Sequence, residues 1–580
     1  MIAVPYVLFA LLAAAQQSSV VIHQSTSGWC SPAIANVIGN VTVNCIGVDP
    51  RALKRLNELL SQKKQDLNAV VEQANEWAER YHELETRLNT SGPNSELSRQ
   101  AEEYLHQGEL EKAREILDKI LTQDENEEDR IAADHYNRGL IAQLQFQPLD
   151  ALPHFEKAYR YRPEDPKYGY RYAGLLIAEH DFKKAEPILA DVLDRTRELA
   201  KKDPARYRLS LAAMLHTQAN LYEDTQRFKE SEEDFSESLG ILRDQAKSNS
   251  DADKLALARD LNDAGNLYRL TNKLDTAESI YKEALEIDRS LPVSDPKNRN
   301  YLASSLNNLA ILYSDTGREK EAEKAYTESV DIRRELVKIN PNAYEPELAL
   351  TLTNLGTTYR ATGREKDAEQ VLKEALVIRE RLAAANPGAY LPAEALTLVN
   401  LSNVYGDEKR HDEATAGYQK AVDIYRGLVK DNPSAYQPHL AGALNSLATE
   451  LEQIKKTKEA EDTYKEALNI RRQLAASNFD TYGENLANSL RSLAALYFQT
   501  NQQQAAIPLY REALEIYRKL AVPNPAKFEP DVTLTLEALA WNYWMQKDAE
   551  NARKSAEDAI EIYKHLAKAN PAAYGDPMAR

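Results

Sequence analysis

Apolar and polar positions alternate along most of the chain with the period of an α-helix. In residues 346–386 the apolar side chains of a first run recur every three or four positions, at Leu348, Leu352, Leu355 and Tyr359. Thr362-Gly363 interrupts this run. A second run follows at Ala368, Leu372, Ala375, Leu376 and Ile378, and Asn386-Pro387 ends it. Because this spacing places the apolar residues on one helix face, the pattern predicts two helices joined by a turn, with Pro346 at the start of the first.

The same helix pair recurs along the chain at a fixed interval. The sequence Asn-Pro-x-Ala-Tyr, or a degenerate form of it, begins every 46 residues, at Asn340, Asn386, Asn432, Asn478, Asn524 and Asn570. Helix propensity alone does not produce a constant step of this kind. The spacing therefore predicts duplicated structural units, each of which is one helix pair.

Each unit also carries small residues and aromatic residues at fixed positions. A small residue in the first helix, a Tyr three residues later and an Ala in the second helix appear as Gly265/Tyr268/Ala277, Ala310/Tyr313/Ala322, Gly356/Tyr359/Ala368, Ser402/Tyr405/Ala414, Ala494/Tyr497/Ala506 and Ala540/Tyr543/Ala552. We call the small residue the anchor. This pattern resembles the tetratricopeptide repeat. The resemblance implies an all-α, right-handed solenoid whose concave groove is lined by the first helices.

The anchors indicate how many units the chain contains. They fall at positions 101, 139, 173, 219, 265, 310, 356, 402, 448, 494 and 540, which predicts eleven units over residues 94–580. The early anchors are 38 and 34 residues apart and the later ones mostly 46, so the later helices are expected to be longer. The later units resemble the long repeats of kinesin light chains in the phrases Leu306-Asn307-Asn308-Leu309-Ala310 and Tyr281-Lys282-Glu283-Ala284-Leu285.

The first fifteen residues are predicted to be a signal peptide. Residues 2–15 are uncharged and mostly apolar, which is too short a stretch to span a bilayer, and Ala13-Ala14-Ala15 fits a cleavage site. No Lys or Arg precedes the apolar stretch, unlike a typical signal. We expect an exported protein, periplasmic or secreted, that does not bind membrane directly after signal removal. The alternative is a membrane anchor formed by an uncleaved amino-terminal segment.

Residues 16–50 contain the two cysteines of the chain, Cys30 and Cys45. Two cysteines in an exported protein predict one local disulfide, and the alternative is two free thiols. The alternation around Val41 and Val43 predicts a short strand or β-hairpin between them. The stretch STSGWCSPAI…GNVTVNC resembles a leader segment of exported bacterial repeat proteins.

Residues 51–91 form a separate segment before the repeats. Between 51 and 89, apolar residues alternate spacings of three and four over five heptads, and Lys63 is the polar exception. One interpretation is a coiled coil that makes the protein a homo-oligomer. The other is a long amphipathic helix that folds back on the first repeats.

Charge and motif content narrow the classes of function. The net charge of −18 disfavours binding to nucleic acid, because like charges repel. The sequence has no Gly-rich phosphate loop followed by Lys-Ser or Lys-Thr and no His-Glu-x-x-His. His135 and His154 fall in different helices, and no pattern in the sequence brings them together. We therefore expect no catalytic residues, metal or cofactor, and a partner that is a protein or a peptide.

Asparagines recur in the first helices near the anchors. Asn308, Asn354 and Asn400 each stand two positions before an anchor, and Asn307, Asn403 and Asn445 lie on nearby turns. The resemblance implies that such amides hold the main chain of an extended peptide, since an amide both donates and accepts hydrogen bonds. Alternatively, they satisfy neighbouring helix ends or are remnants of duplication.

The last unit carries two tryptophans, Trp541 and Trp544, on its first helix. They are candidate contact residues for a partner, and the alternative is that they close the end of the solenoid. Taken together, the sequence predicts a non-catalytic scaffold that binds an extended peptide or partner protein in the groove. The alternative function is structural self-assembly through residues 51–89.

Overall fold

The computed structural model describes residues 30–33, 42–45, 48–61, 67–90, 96–123, 128–145, 147–247 and 250–569. These ranges contain two short strands and 24 helices. In chain order they are β1 (Cys30–Ala33), β2 (Thr42–Cys45), α1 (Pro50–Ser61), α2 (Leu67–Thr90), α3 (Glu96–His106), α4 (Leu110–Gln123), α5 (Glu128–Leu144), α6 (Pro148–Tyr161), α7 (Pro166–Ala178), α8 (Phe182–Lys202), α9 (Pro204–Asp224), α10 (Phe228–Ala246), α11 (Asp251–Leu270), α12 (Leu274–Ser290), α13 (Pro296–Asp315), α14 (Glu319–Ile339), α15 (Pro341–Ala361), α16 (Glu365–Ala385), α17 (Pro387–Asp407), α18 (His411–Asp431), α19 (Pro433–Gln453), α20 (Thr457–Ser477), α21 (Phe479–Gln499), α22 (Gln503–Ala521), α23 (Pro525–Met545) and α24 (Ala549–Ala569). The signal peptide predicted at residues 1–15 lies outside the described residues.

The helices from α3 to α24 form eleven consecutive pairs, and each pair carries one anchor in its first helix. From α3 to α14 and from α18 to α24, each helix packs on the next one, both within a pair and between consecutive pairs. This arrangement confirms the all-α repeat solenoid and the number of units that the sequence predicts. The helices of the first two pairs have 11–17 residues, whereas those from α8 onward have 17–21, so the later units are longer as expected.

The chain divides into two compact units. Unit 1 comprises residues 1–358 and 384–389, and unit 2 comprises residues 359–383 and 390–580. The tyrosines form much of the core within each unit: Tyr281 in unit 1 and Tyr464 and Tyr517 in unit 2 are almost fully buried. At anchor Gly265, a Cβ atom would lie 2.4 Å from the Tyr281 ring, so the absence of a side chain allows the ring to fill this space.

The Asn-Pro junctions connect the pairs with a single residue. Asn432 ends α18 and precedes α19, and its Oδ1 accepts a hydrogen bond from the Ala435 amide at 3.2 Å. Pro433 is then the first residue of the new helix, where its missing N–H costs nothing. The prediction that Pro346 starts a helix is wrong. It lies inside α15, which begins five residues earlier at Pro341, so Pro341 rather than Pro346 takes the first position.

Successive second helices are joined by ion pairs about 40 residues apart. An Arg of one second helix meets a carboxylate of the next at Arg197–Glu237, Arg243–Glu283, Arg289–Glu328, Arg426–Glu466, Arg472–Glu512 and Arg518–Asp558. At one step of this series both charges are reversed, since Glu380 accepts from Lys420 at 2.7 Å. Because both partners are reversed together, the opposite charges are retained, which indicates that the attraction between them aligns neighbouring helix pairs.

A charge swap at Arg472 and Glu512 tests this ion-pair series. We expect Arg472→Glu to reduce the free energy of unfolding by about 0.5–1 kcal/mol, because exposed pairs contribute little and the variant adds a repulsion. The double variant Arg472→Glu/Glu512→Arg reproduces the natural reversal and should recover most of the loss. Urea denaturation of the four proteins of the double-mutant cycle measures the coupling. A double variant no more stable than the sum of its single changes would contradict the interpretation.

The two cysteines lie in the paired strands before the helices. β1 and β2 are antiparallel, and Cys30 stands directly opposite Cys45 in the register. Cys45 is disulfide-bonded, and Cys30 is the one other cysteine of the chain. Both strands contact α2, and β2 also contacts α1, so the paired strands pack against the two helices that follow.

The segment before the repeats forms two helices, α1 and α2, and their apolar residues enter the core of unit 1. Trp77, Tyr81 and Leu84 of α2 are completely buried, and the Trp77 indole N–H donates to the Leu144 carbonyl of α5 at 2.9 Å. α2 packs on α3 and α5, the first helices of the first two pairs. This burial supports the folded-back arrangement. The coiled coil stays a prediction without support from these contacts.

Candidate functional site

Asparagine amides connect the first helices of neighbouring pairs in unit 1. The Asn308 amide of α13 donates to Asn262 Oδ1 of α11 at 3.3 Å. One pair further on, the Asn354 amide of α15 donates to Asn307 Oδ1 of α13 at 3.2 Å. The asparagines of unit 1 therefore form a row of contacts that runs from one helix pair to the next. We call these four residues the amide row.

The amide row has a structural role and also retains polar capacity. Asn307 is buried, with 5% of its surface exposed, so its amide serves the helix contact. Asn308 and Asn354 are half-buried. Each has two N–H donors and an oxygen with two lone pairs, and the bond to the neighbouring helix uses one donor. The row is thus held in place and is still able to pair with a peptide group.

In unit 2 the predicted asparagines contact different partners. Asn403 of α17 accepts from the Tyr418 hydroxyl at 2.6 Å, and Asn445 of α19 accepts from Ser489 at 3.2 Å. Both side chains line a polar cavity of about 200 Å³ that also includes Arg360. Asn400 is half-buried on α17. The structure thus brings Asn403 and Asn445 together at one polar surface between two first helices.

Two exposed leucines lie next to the asparagines and were missed by the sequence reasoning. Leu350 precedes Asn354 by four residues and Leu396 precedes Asn400 by four, so each shares a helix face with its asparagine. They are 41% and 47% exposed. The signal in the sequence was the 46-residue spacing of the leucines. Leu350 lies outside the apolar run that the helical pattern defines in its helix.

Trp541 and Trp544 lie on α23, away from the asparagines, and are 63% and 64% exposed. Together with Ile560 and Tyr563 of α24 they border an open cavity of about 810 Å³. The Tyr residues of the repeats are, by contrast, packing residues, and burial raises the pKa of Tyr281 to about 12. The tryptophans are therefore the exposed aromatic feature of the last pair.

His135 of α5 and His154 of α6 meet in the structure, although no pattern in the sequence predicts that they lie together. Their Nδ1 atoms are 3.0 Å apart, and the His135 ring stacks on Tyr161. Burial lowers the pKa of each histidine to about 4. At neutral pH the pair is uncharged, so one Nδ1 donates to the other.

The buried pair predicts a loss of stability in acid. Unfolded histidines bind protons below about pH 6.5, whereas the folded pair binds them only near pH 4, so protons favour the unfolded chain in this window. Stability should fall by up to about 1.4 kcal/mol per pH unit for each histidine. Urea denaturation between pH 7.5 and 4.5 measures the slope, which His135→Gln/His154→Gln should reduce. The exposed His439→Gln serves as control, and an equal slope in all three proteins would refute the prediction.

A serine, an aspartate and a histidine also cluster in unit 1. Ser238 donates to Asp260 at 2.5 Å, and His216 lies 2.7 Å from the other oxygen of the same carboxylate. Asp260 stands between the two, so the serine hydroxyl faces an acceptor carboxylate rather than the imidazole. In a serine–histidine–aspartate triad the imidazole lies beside the hydroxyl, and in this cluster the carboxylate takes that place.

Within the described ranges, no group of three or more His, Cys, Asp or Glu side chains is arranged to hold a metal ion. Among the helices described, none combines the length and the apolar character that crossing a bilayer requires.

Family models of the tetratricopeptide repeat match the chain over most of its repeats. The matched residues are 142–215, 210–290, 302–342, 347–427, 393–473 and 472–519. Together they cover more than half of the chain and coincide with the helix pairs described above. The chain belongs to the tetratricopeptide repeat family. This tetratricopeptide repeat protein has no match among curated protein sequences.

Several solved structures are similar to this tetratricopeptide repeat protein. BtubC (BKLC) from P. vanneervenii is 24% identical, with 51% of this chain and 94% of that chain covered and a TM-score of 0.32. A Signal Transduction ATPase with Numerous Domains protein with a tetratricopeptide repeat sensor, from Pyrococcus horikoshii, is 16% identical, with 82% and 69% covered and a TM-score of 0.44. The apo form of RapI is 16% identical, with 54% and 99% covered and a TM-score of 0.38.

Proposed function

We propose that this chain is a non-catalytic scaffold that binds an extended segment of a partner protein along the face formed by its first helices. The observation that carries the proposal is the presence on these helices of half-buried amides beside exposed leucines. Asn354 with Leu350, and Asn400 with Leu396, place a hydrogen-bonding group and an apolar group on the same helix face.

The two kinds of side chain have complementary tasks in this proposal. Amides pair with the N–H and C=O groups of the bound main chain, which every peptide carries, and so contribute affinity that is independent of sequence. The leucines contact apolar side chains of the bound segment and so contribute preference among sequences. The hydrogen bonds of the amide row orient the amides before binding, which reduces the entropy lost when a segment is ordered.

A triple variant tests the proposal. We expect Asn308→Ala/Asn354→Ala/Asn400→Ala to recover at least tenfold less partner from the native cell than the unaltered chain, measured by quantitative mass spectrometry after affinity capture. Asn551→Ala is the matched control, because this amide of α24 bonds to Asp548, the residue before that helix, and does not belong to the row. Circular dichroism establishes that both variants are folded. Equal recovery of the same partners by all three proteins would exclude the amides as contacts.

The proposed setting is an oxidising compartment outside the cytoplasm. It is supported by the signal peptide predicted from residues 1–15 and by the disulfide at Cys45, since disulfides persist where the glutathione pool does not reduce them. Cell fractionation, combined with thiol labelling before and after reduction, tests this. Recovery in the cytoplasm with both cysteines labelled before reduction would contradict it.

The alternative function, self-assembly through residues 51–89, requires the apolar stripe of α2 to face another chain. Trp77, Tyr81 and Leu84 already lie in the core of unit 1. We therefore favour the binding scaffold. Light scattering on the full chain distinguishes the two, and an oligomer that dissociates after changes on α2 alone would favour self-assembly.

A further inference from the structure

The last helix pair of unit 2 exposes a face that is covered in the preceding pair. On α22, Tyr510, Leu514 and Tyr517 are buried, and α23 packs against this helix. Forty-six residues later the position of Leu514 is occupied by Ile560 of α24, and Ile560 is 51% exposed whereas Leu514 is 7% exposed. The side chains on this face of α23 and α24 thus occupy the positions that, one pair earlier, contact the next helix. We call it the terminal face.

The terminal face is apolar and has room for another helix. Trp541 and Trp544 of α23 and Ile560 of α24 line the open cavity of about 810 Å³. Ala552 and Ala556, eight and four residues before Ile560 on the same helix, line it as well. Small residues between larger ones are what allow one helix to approach another closely in this fold. Single exposed apolar residues are common on protein surfaces, whereas two tryptophans and an isoleucine on one surface form a contiguous apolar patch, which is typical of an interaction site.

The internal pairs define the chemistry of the helix that fits this face. In the preceding pair the cover is α23, which turns Phe528, Val532, Leu536 and Leu539 into the core. α23 also pairs Asp531 with Arg491 of α21 at 2.8 Å. On the terminal face, the position of Arg491 is taken by Glu537, 46 residues later. An incoming helix with the same apolar spacing therefore needs a Lys or Arg where α23 has Asp531.

We propose that the terminal face binds an amphipathic α-helix of a partner protein, with large apolar residues at the spacing of α23 and a basic residue opposite Glu537. Trp541 and Trp544 are its main contact residues. This site is separate from the amide row. The chain then has two binding surfaces, one for an extended segment and one for a helix, and they have no residue in common.

The test uses the full chain and a synthetic probe. The probe is a fluorescein-labelled 21-residue peptide with the sequence of α23 and the substitution Asp531→Lys, called the Lys peptide, and binding is followed by fluorescence anisotropy. We expect saturable binding that weakens at least tenfold in Trp541→Ala/Trp544→Ala. Val522→Ala, which changes an 83% exposed apolar residue next to α22, is the matched control and should bind normally.

Charge reversal makes the test specific. Glu537→Lys should lower the affinity of the terminal face for the Lys peptide. It should raise the affinity for the peptide that keeps Asp at this position. The triple asparagine variant should bind the Lys peptide normally, so that failure here and failure of the proposed function remain distinguishable. Three results would overturn the proposal: no binding of the Lys peptide, equal binding by the tryptophan variant, or a dimer of the full chain that dissociates in that variant, which would make a second copy the occupant.

Discussion

Arg333→Ala is expected to lower the free energy of unfolding of unit 1 by about 3–5 kcal/mol, the range for removal of one member of a buried charged contact. Arg333 of α14 is 1% exposed, and one of its guanidinium nitrogens donates to the Glu347 carbonyl of α15 at 2.9 Å. A second nitrogen donates to Ser304 at 3.1 Å. The substitution leaves a cavity between two pairs and removes the donor from a buried carbonyl.

The neighbouring Arg334 provides the matched control, because its side chain is 41% exposed on the same helix. Arg334→Ala should change stability by less than about 0.5 kcal/mol. Urea denaturation followed by circular dichroism gives the two values, and hydrogen exchange should locate the Arg333 effect in α14 and α15. Equal effects for the two arginines would show that burial of Arg333 does not stabilise the fold.

Trp77→Ala is expected to cost about 3–5 kcal/mol, as for other fully buried aromatic side chains. The variant loses the packing of the indole in the core of unit 1 and the hydrogen bond from its N–H to the Leu144 carbonyl. Because α2 is held by Trp77, Tyr81 and Leu84, its release should also raise hydrogen exchange in α2.

Trp544→Ala is the matched control for this change, since the same residue type is 64% exposed in α23. It should leave the urea midpoint almost unchanged. If Trp77→Ala were equally harmless, α2 would not be packed on the repeats in solution, and an oligomer formed through this segment would become the better explanation.

The repeat architecture could be predicted because each unit repeats the same local signals. Asn-Pro places a residue that accepts from the new helix directly before a proline that begins it, as at Asn432 and Pro433. The anchors then give the number of pairs. The position of Pro346 was predicted wrongly because the chain has another proline five residues earlier. Pro341 takes the first position of α15, and Pro346 lies inside the helix.

The candidate site was only partly predictable. The position of an asparagine in the sequence shows that it belongs to a first helix, but not that Asn354 bonds to Asn307 of the preceding pair. The meeting of His135 and His154 depends on how α5 crosses α6, which the helical period does not specify. The exposure of Leu350 likewise depends on how neighbouring helices pack, which the sequence of its own helix does not specify.

Site-specific photo-crosslinking tests the central claim, that partners bind along the first helices, most directly. A photoreactive amino acid replaces Leu350 of α15, Leu396 of α17 or, as control, Val377 of the second helix α16, which is 65% exposed. In the native cell, we predict crosslinks to the same partner protein from positions 350 and 396, and no crosslink to that partner from position 377. Equal crosslinking from all three positions, or crosslinks from position 377 alone, would contradict the account.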